Sequence, residues 1–407
     1  MLGFLLGNAR WLAAGVLLTF ASSFGQTWFI SLFAGEIKAA HGLSDGAWGS
    51  LYTLVTLCAA GLLLTAGSSA DTVRLSRLAP GIAILFALAA LGMAFSQSIW
   101  LLGLALFLLR FCGQGMFSHI AMTAMGRWFR ARRGQAVSMT NLGHPAGEML
   151  LPVGTVLIIG AIGWQETWAL VALILALAVA PSLLLLLSSA RLPQGGISGG
   201  GASGLEGRHW ARGEVLRHWL FPALLPIILT PGFVGTVVFF HQVHVAEVKG
   251  WTLAQMAPGY TVFASLSVAS ALATGWASDR WGPHRILPAL LLPTAAGLAV
   301  IGPAGAVWGW FAALGLIGLT QGMSSALWGA LLPAIYGTRN LGAVRSMVTT
   351  VMVVSTAIGP GITGILIDQG IVFPRQTLAL AAWCVLLSGI ALAIERRLTA
   401  EVGLDGK

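Results

Sequence analysis

Charge is the scarcest property of this sequence. Asp, Glu, Lys and Arg together make up 9% of its 407 residues, whereas 57% are apolar and the mean hydropathy is +0.86. A soluble domain of this length could not bury so much apolar surface behind so few charges, but an integral membrane protein exposes that surface to lipid. The composition therefore predicts a membrane protein and excludes a soluble globular fold.

Cysteines and the motifs of metal or nucleotide chemistry are also rare or missing. Cys58, Cys112 and Cys384 all lie inside apolar runs without a CxxC pair, so we interpret them as core residues. The sequence has no P-loop and no HExxH motif, and its one GxSxG, at residues 196–200, lies in a Gly/Ser-rich stretch with no strand before it. We expect no metal, no cofactor and no ATP-driven mechanism.

Acidic residues are fewer than basic ones, and the formal net charge is +9. Cytoplasmic loops of membrane proteins are rich in Lys and Arg, so this excess does not indicate a nucleic-acid partner. With the N-terminus inside, the outer loops hold only Lys38, Lys249 and Arg375, and the inner loops hold all other basic residues except Arg110. This bias predicts a multi-pass plasma membrane protein, in the inner membrane of a bacterial cell, with both termini cytoplasmic.

Twelve apolar runs are long enough to cross a bilayer as helices. They cover residues 11–33, 47–66, 79–97, 99–126, 134–160, 165–189, 219–241, 253–277, 286–302, 305–333, 342–368 and 376–394. The first run mimics a signal peptide, with Ala21-Ser22-Ser23 as a false cleavage site, but it extends too far for one. The fold class predicted is therefore an all-α membrane protein of twelve transmembrane helices.

A Gly/Ser-rich, basic stretch separates the sixth run from the seventh. It extends from Arg191 to His218 and contains GGISGGGASGLEG, a composition that cannot span a bilayer and predicts a flexible cytoplasmic linker. The predicted domains are an N-terminal six-helix bundle at 1–190, the linker at 191–218 and a C-terminal six-helix bundle at 219–407.

The two halves of the sequence repeat. Gly67 and Asp71 recur as Gly275 and Asp279, 208 residues later (67 to 275). Further matches at nearly this offset pair Gly134 with Gly342, Ser138 with Ser346, and Gln114 with Gln321. Duplicated bundles are a common architecture of secondary transporters, in which the binding site lies between the repeats near the membrane midplane.

One loop in the second half carries a family resemblance. The pattern Gly275-x-x-x-Asp279-Arg280-x-Gly282 resembles the loop signature of the major facilitator superfamily. The matching loop of the first half departs from it, with Thr72 in place of the usual Arg. The resemblance implies two pseudo-symmetric six-helix bundles and transport of a solute by alternating access.

Two further patterns narrow the resemblance. Arg110-x-x-x-x-Gly115 is similar to the superfamily's fourth-helix motif. The segment from Trp128 to Gly134, followed by Gly143 and Gly147, is similar to its monocarboxylate-transporter-like branch. The spacing Gly143-x-Pro145-x-Gly147 only partly matches the superfamily's antiporter motif, so the direction of transport stays open.

The repeated loops are the predicted gate. A carboxylate at a helix end can face the positive N-terminus of a neighbouring helix, and such a contact would close the inner gate until it breaks. The natural partners are the helix starts near Gly342 and Gly134, and the alternative is a plain basic loop with incidental acids. The predicted gating residues are Gly67, Asp71, Gly275, Asp279, Arg280 and Gly282.

Two full charges lie far from either end of an apolar run, Arg110 in the fourth and Glu148 in the fifth. If both runs are helices rising from the same membrane face, both charges sit at a depth of about 25 Å. A charge at such a depth usually faces a cavity or a partner. Arg110 therefore either binds an anionic substrate or pairs permanently with Glu148 as a structural couple.

Asn141, His144 and Glu148 follow one another at spacings of three and four, and so share one face of the fifth helix. A carboxylate beside Arg110 stays ionised, whereas burial without that partner favours its protonated form. Exchange of a substrate or a proton at Arg110 would therefore switch Glu148 between these two protonation states, as proton coupling requires. His144 fits a site residue and a plain helix contact equally well. For His119 we prefer a hydrogen-bonded helix contact.

Four uncharged polar residues in other runs are candidate donors to a substrate cavity. Each fits equally well as a hydrogen-bonding contact between helices. They are Gln26, Gln114, Tyr260 and Gln321.

The function predicted is secondary transport of a small organic solute, an organic anion such as a monocarboxylate, with protons as the candidate coupling ion and a monomer in the lipid bilayer as the working form. One alternative is an exporter of amphipathic compounds, and another is a sensor that does not transport. A multi-pass enzyme acting on lipid would need a polar cluster near one interface, for which only His241, His244 and Glu247 are available.

Overall fold

The computed structural model describes residues 2–129, 132–189, 191, 204–337 and 339–402. Backbone alone is described for Leu2, Gly3, Asp71, Arg133, Glu206, Gly342, Ala343, Ser346, Glu401 and Val402. The GxSxG at 196–200 therefore lies outside the described residues.

Within the described residues, twelve helices are long and apolar enough to cross a membrane, which confirms the twelve predicted spans. We label them α1 Phe4–Gly25, α2 Asp45–Ala66, α3 Leu75–Ala94, α4 Ile99–Trp128, α5 Gly134–Ile162, α6 Trp164–Leu186, α7 Leu220–Phe240, α8 Leu253–Trp281, α9 Pro283–Ile301, α10 Trp308–Tyr336, α11 Met347–Asp368 and α12 Phe373–Ala400.

Local sequence signals set several helix ends. The Ser44 side chain accepts a hydrogen bond from the backbone N–H of Ala47 and so caps α2, and Ser98 caps α4 through Leu101. A short helix before α2 ends at Gly42, whose φ of +62° is the left-handed conformation that glycine adopts without steric cost. Serine caps and a glycine stop thus delimit helices whose interiors are almost wholly apolar.

α1 does not cross without a break. It is α-helical over Leu2–Ala21, tightens into a 3-10 turn at Ser22–Gly25, and opens at Gln26, which is extended with φ −81° and ψ 152°. The chain then continues through short helices at Thr27–Ile30, Ser31–Phe33 and Ala34–His41. The first predicted run, 11–33, therefore contains an irregular segment at its centre.

Other spans contain local changes of helix type. π-helical segments occupy Arg110–Phe117 in α4 and Ile174–Val179 in α6. α5 combines Arg133–Asn141 with Gly143–Ile162, α8 combines Leu253–Met256 with Gly259–Trp281, and α9 combines a 3-10 segment, Pro283–Ala289, with Leu292–Ile301. Further short helices outside the spans are Ser69–Thr72, Leu205–Gly207, Arg212–Arg217 and Gln242–Lys249.

Some helices are longer than the apolar runs that predict them. α8 continues past residue 277 to Trp281, and the helix of α12 runs over Phe373–Val402 instead of 376–394. A helix keeps its backbone hydrogen bonds after it leaves the apolar layer, so it can continue through polar residues. The last turns of α12 do so at Glu395-Arg396-Arg397. The ends of the apolar runs were therefore the least accurate part of the sequence prediction.

Contacts between Cα atoms divide the chain into two compact units. The first unit comprises Met1–Ser198 with Pro360–Ile365, and the second comprises Gly199–Gly359 with Leu366–Lys407. In the first unit α1 packs against α4 and α5, α2 against α4, and α3 against α4 and α6. In the second, α8 packs against α10, and α9 against α10 and α12. The pairs α2–α4, α3–α4 and α3–α6 thus recur six helices later, as expected of a duplicated bundle.

Residues 204–218 differ from the flexible segment that the sequence predicts. Trp210 is 4% exposed, its backbone N–H donates to the carbonyl oxygen of Tyr336, and its own carbonyl accepts from the Asn340 side chain. Its ring also packs against the rings of Tyr336 and His218. One aromatic anchor, which the Gly/Ser-rich composition conceals, holds this half of the linker against the end of α10.

Candidate functional site

Arg110 begins the π-helical segment of α4, and its side chain is 2% exposed. Its Nη1 donates to the carbonyl oxygen of Gly25 at 2.9 Å, and its guanidinium carbon lies 5.2 Å from the centre of the Tyr52 ring. Its Nε has no hydrogen-bond partner among the described residues. A buried guanidinium with five donors is therefore held by one carbonyl and one aromatic face, with capacity left for another acceptor.

The break in α1 supplies the carbonyl that Arg110 binds. The 3-10 turn and the extended Gln26 interrupt the helical hydrogen-bond pattern, so the carbonyl of Gly25 is available to a side chain. Gly25 faces Gly113 of α4, and a Cβ added to Gly113 would lie 2.7 Å from the Cα of Gly25. Two facing glycines thus let the broken segment of α1 touch the π-helical segment of α4 directly.

Tyr52 of α2 completes this side of the site. Its ring is fully buried, and its hydroxyl donates to the Thr27 hydroxyl at 2.8 Å, just after the break in α1. This hydrogen bond orients the ring whose face meets the Arg110 guanidinium, a favourable cation–π arrangement.

α5 also packs against α1 at this break. Gly143 and Gly147 pack so closely on α1 that an added Cβ would overlap the hydroxyls of Thr19 and Ser23, respectively. The His144 Nδ1 lies 3.3 Å from the Ser22 hydroxyl. The glycine spacing that resembled an antiporter motif therefore serves the contact between α5 and α1 in this structure.

Glu148 lies half-buried on α5, one helical turn after His144 and directly after Gly147. Within the described residues neither Glu148 nor Arg110 takes part in a salt bridge. The permanent Arg110–Glu148 couple is therefore not formed in this structure. Instead, α4 brings Arg110 and α5 brings His144 against the same four-residue turn of α1, Ser22–Gly25.

The other candidates in the first unit are placed less tightly. Gln26 and Gln114 are half-buried, and neither side chain makes a hydrogen bond within the described residues. Asn141 is exposed at the end of the helix Arg133–Asn141. The His119 Nε2 lies 3.0 Å from the carbonyl oxygen of Gly67, which is the hydrogen-bonded helix contact expected for it.

In the second unit the polar candidates do not converge on one point. Tyr260 is fully buried, its ring stacks on Phe239 at 5.1 Å, and its hydroxyl donates to the Gln242 side chain at 2.9 Å. Gln321 of α10 is exposed within its unit. His241 and His244 are buried beside Gln242, and His241 packs against the Phe373 ring. This histidine pair therefore belongs to a packed helix junction.

The predicted gating residues lie at the ends of α2 and α8. Gly67 follows the last residue of α2, and Asp71 lies in the separate short helix Ser69–Thr72, with its side chain outside the described part of the structure. In the second half the segment stays helical: Asp279 is exposed in the last turn of α8, and Gly282 turns the chain with φ +86°. The repeated sequence thus adopts two different local structures.

Sequence reasoning did not identify the residues that hold Arg110. Gly25, Thr27, Tyr52 and Gly113 are individually ordinary in a membrane helix. The signal present was the Ser-Ser-x-Gly group at 22–25 inside an apolar run, which we interpreted as a false cleavage site. In the structure these residues form the break that α4 and α5 both contact.

Comparisons with known proteins agree with this architecture. The profile of the Major Facilitator Superfamily matches residues 15–360 and 242–401. No curated protein sequence matches the chain significantly.

Two solved transporters are similar in structure. A bacterial homologue of the human lysosomal transporter Spinster has a TM-score of 0.68 and 17% sequence identity, and the alignment covers 97% of this chain and 95% of that one. The nucleoside transporter NupG has a TM-score of 0.69 and 11% identity, with 94% and 98% covered. At these identities the likeness shows the shared fold. The chain belongs to the Major Facilitator Superfamily, and it is a multi-pass membrane transporter of a solute, not an enzyme.

Proposed function

We propose that this transporter carries a small organic anion, such as a monocarboxylate, and that Arg110 is its principal contact. The observation that carries the proposal is a guanidinium 2% exposed that has no carboxylate partner within the described residues and keeps its Nε unbound. A buried charge without a counter-ion is strongly unfavourable. An anionic substrate would supply that counter-ion, and a carboxylate matches the planar donor pattern of arginine.

We propose further that protons drive the transport through α5. Glu148 has no cationic partner among the described residues, and His144 contacts the same turn of α1 that Arg110 binds. Intramembrane carboxylates and histidines are the usual proton carriers of pumps and transporters. Binding of an anion at Arg110 would change the electric field at this turn, so proton uptake on α5 and substrate binding on α4 would be coupled.

In this proposal the chain forms two six-helix domains, 1–190 and 219–407, joined by 191–218. The binding site opens alternately to the two sides of a plasma membrane. Both termini are cytoplasmic, the protein works as a monomer, and the segments 67–71 and 275–282 form the gate. The basic residues of alternate loops support the orientation. The candidate contacts to the solute remain Gln26, Gln114, Asn141, Tyr260 and Gln321, of which Tyr260 already donates its hydroxyl to the Gln242 side chain.

The test is a thermal-shift screen of the purified protein against small carboxylates, amino acids and amphipathic drugs. We expect a carboxylate to raise the Tm of the native protein. Arg110→Gln should abolish that shift, and Arg127→Gln, a change at the basic end of the same helix, should leave it intact. Binding of an amphipathic drug that is insensitive to Arg110→Gln would favour the exporter alternative and contradict the anion proposal.

A further inference from the structure

We propose that the break in α1, residues 22–26, is a lid on Arg110, and that a bound anion displaces this lid and lets α1 close into a continuous helix. The inference rests on the proposed anion transport for the displacing ligand. The contacts that hold the break open are present without a ligand, and they come from α4 and α2 of the first unit.

The break replaces the regular hydrogen bonds of an α-helix. In a continuous helix the Gly25 carbonyl oxygen would accept from the N–H four residues later, that of Phe29. Here the Phe29 N–H donates to the Gln26 carbonyl at 3.2 Å, and the Gln26 N–H donates to the Ser23 carbonyl at 3.0 Å. The Gly25 carbonyl accepts from the Arg110 Nη1 at 2.9 Å. Arg110 therefore stands in for the backbone donor that Gly25 would have in an unbroken α1.

The local sequence allows both a broken and a continuous α1. The Ser-Ser-x-Gly group at 22–25 makes this turn easy to bend, but residues 22–30 contain no proline that would forbid a helix. Gln26, the extended residue, is of a type that forms helices readily. Rotation of its ψ from 152° to a helical value of about −42° would restore the helix. Contacts from neighbouring helices therefore decide which form is present.

Two side chains hold the break open, one on each side of Gln26. Arg110 of α4 binds the Gly25 carbonyl. The Tyr52 hydroxyl of α2 donates to the Thr27 hydroxyl at 2.8 Å. The guanidinium carbon of Arg110 also lies 5.2 Å from the centre of the Tyr52 ring. The two contacts thus form one cluster, and a ligand that moves the guanidinium disturbs both.

The lid encloses the guanidinium. The Arg110 side chain is 2% exposed, its Nη1 is occupied by the Gly25 carbonyl, and its Nε is buried. An anion therefore approaches the guanidinium by moving the lid. A carboxylate is a stronger acceptor for this donor than a neutral carbonyl, because both partners are then charged. The displaced Gly25 carbonyl regains the Phe29 N–H when α1 closes, so anion binding and the change in α1 are one event.

The test measures amide hydrogen exchange of residues 22–33 in the purified full-length protein. Arg110→Met removes the charge and the donor to Gly25 at a similar side-chain length. We expect α1 to close and exchange in this segment to slow by about tenfold, because each new helical hydrogen bond must open before its amide exchanges. A purely structural contact predicts the opposite, faster exchange through loss of order. The control is Arg127→Met, because Arg127 of the same helix also donates to a carbonyl, that of Ala70, outside α1.

Tyr52→Phe removes the second contact but keeps the ring face and the charge of Arg110. It should also slow exchange in residues 22–33. Its control is Tyr260→Phe, because Tyr260 is a buried tyrosine of the second unit that likewise donates its hydroxyl to a side chain, at 2.9 Å. Arg110→Met decides the outcome, and Tyr52→Phe decides it if Arg110→Met does not give a monodisperse protein. Unchanged or faster exchange in the deciding variant would overturn the lid.

Acetate tests the displacement, with the neutral acetamide as its control. In the native protein we expect acetate alone to raise the Tm and to slow exchange in residues 22–33, and we expect neither effect in Arg110→Met. Acetate that raises the Tm through Arg110 without changing exchange would overturn the lid and leave the proposed anion transport in place. Slower exchange in Arg110→Met without any response of the native protein to acetate would support the lid and count against a monocarboxylate substrate.

Discussion

At the scale of single residues, the site is defined by what Arg110 does in place of pairing with Glu148. Its guanidinium binds the Gly25 carbonyl and the Tyr52 face. Both partners are uncharged, so neither neutralises the positive charge of Arg110. A structural pair would instead neutralise both charges permanently. The two arrangements predict opposite results in a double-mutant cycle, because only a pair makes each single mutant leave an uncompensated charge.

We expect Glu148→Gln to keep substrate counterflow and to abolish uphill, proton-driven uptake in proteoliposomes. In the proposed mechanism Glu148 carries a proton, and an amide has the same shape but cannot carry it. Glu247→Gln, a change at an exposed acid in the second unit, is the control and should keep both activities. The double variant Arg110→Ala with Glu148→Gln should transport no better than Arg110→Ala alone. Full uphill transport by the double variant would contradict a coupling role.

At the scale of helices, close packing at glycines decides where the polar groups stand. A Cβ on Gly147 would overlap the Ser23 hydroxyl, whereas a Cβ on Gly154 of the same helix would meet no atom within 4 Å. Since seven residues are close to two helical turns, both glycines lie on nearly the same face of α5, and the close contact is confined to the level of the turn of α1.

Gly147→Ala should therefore destabilise the protein by about 1–3 kcal/mol, the usual cost of overpacking. Gly154→Ala should be neutral or slightly stabilising, since alanine has the higher helix propensity. Adding Ser23→Ala to Gly147→Ala removes the overlapping hydroxyl and should recover most of the loss. The measurement is the thermal or denaturant unfolding of these three variants and the native protein in detergent. Equal stability of Gly147→Ala and Gly154→Ala would contradict the close contact.

The packed half of the linker makes a second prediction at this scale. Trp210 is buried against Tyr336 and His218, whereas the neighbouring Leu216 is 53% exposed. Trp210→Ala should strongly reduce amide hydrogen-exchange protection in residues 204–218, because the segment loses its aromatic anchor. Leu216→Ala should leave that protection in place. Unchanged exchange after Trp210→Ala would show that the flexible linker predicted from composition was the better description.

At the scale of the whole molecule, duplication places two related segments at the ends of α2 and α8. One copy breaks into a separate short helix, and the other continues as the last turns of α8. If the exposed Asp279 holds the gate by facing a helix N-terminus, the contact contributes about 0.3–1 kcal/mol. That energy is enough to bias a conformational equilibrium several-fold.

Asp279→Asn should accordingly shift the transporter toward its inward-open state and slow transport without unfolding it. Labelling of single cysteines from the cytoplasmic side reports the shift, after Cys58, Cys112 and Cys384 are replaced. Glu214→Gln, a change at another exposed acid, is the control and should not alter labelling. Unchanged labelling in Asp279→Asn would leave the loop as an ordinary basic turn.

The sequence alone determined the fold class, the twelve spans and the two intramembrane charges, because hydropathy and charge are properties of local composition that the bilayer reads directly. The repeat and the resemblance of residues 275–282 to the loop signature of the superfamily also came from the sequence alone. Only the tertiary structure decided which groups meet Arg110. Its partners, Gly25 and Tyr52, lie 85 and 58 positions away (110 to 25 and 110 to 52), and a broken helix at two facing glycines brings them together. Such a break arises from packing between helices, which leaves no periodic pattern in the sequence.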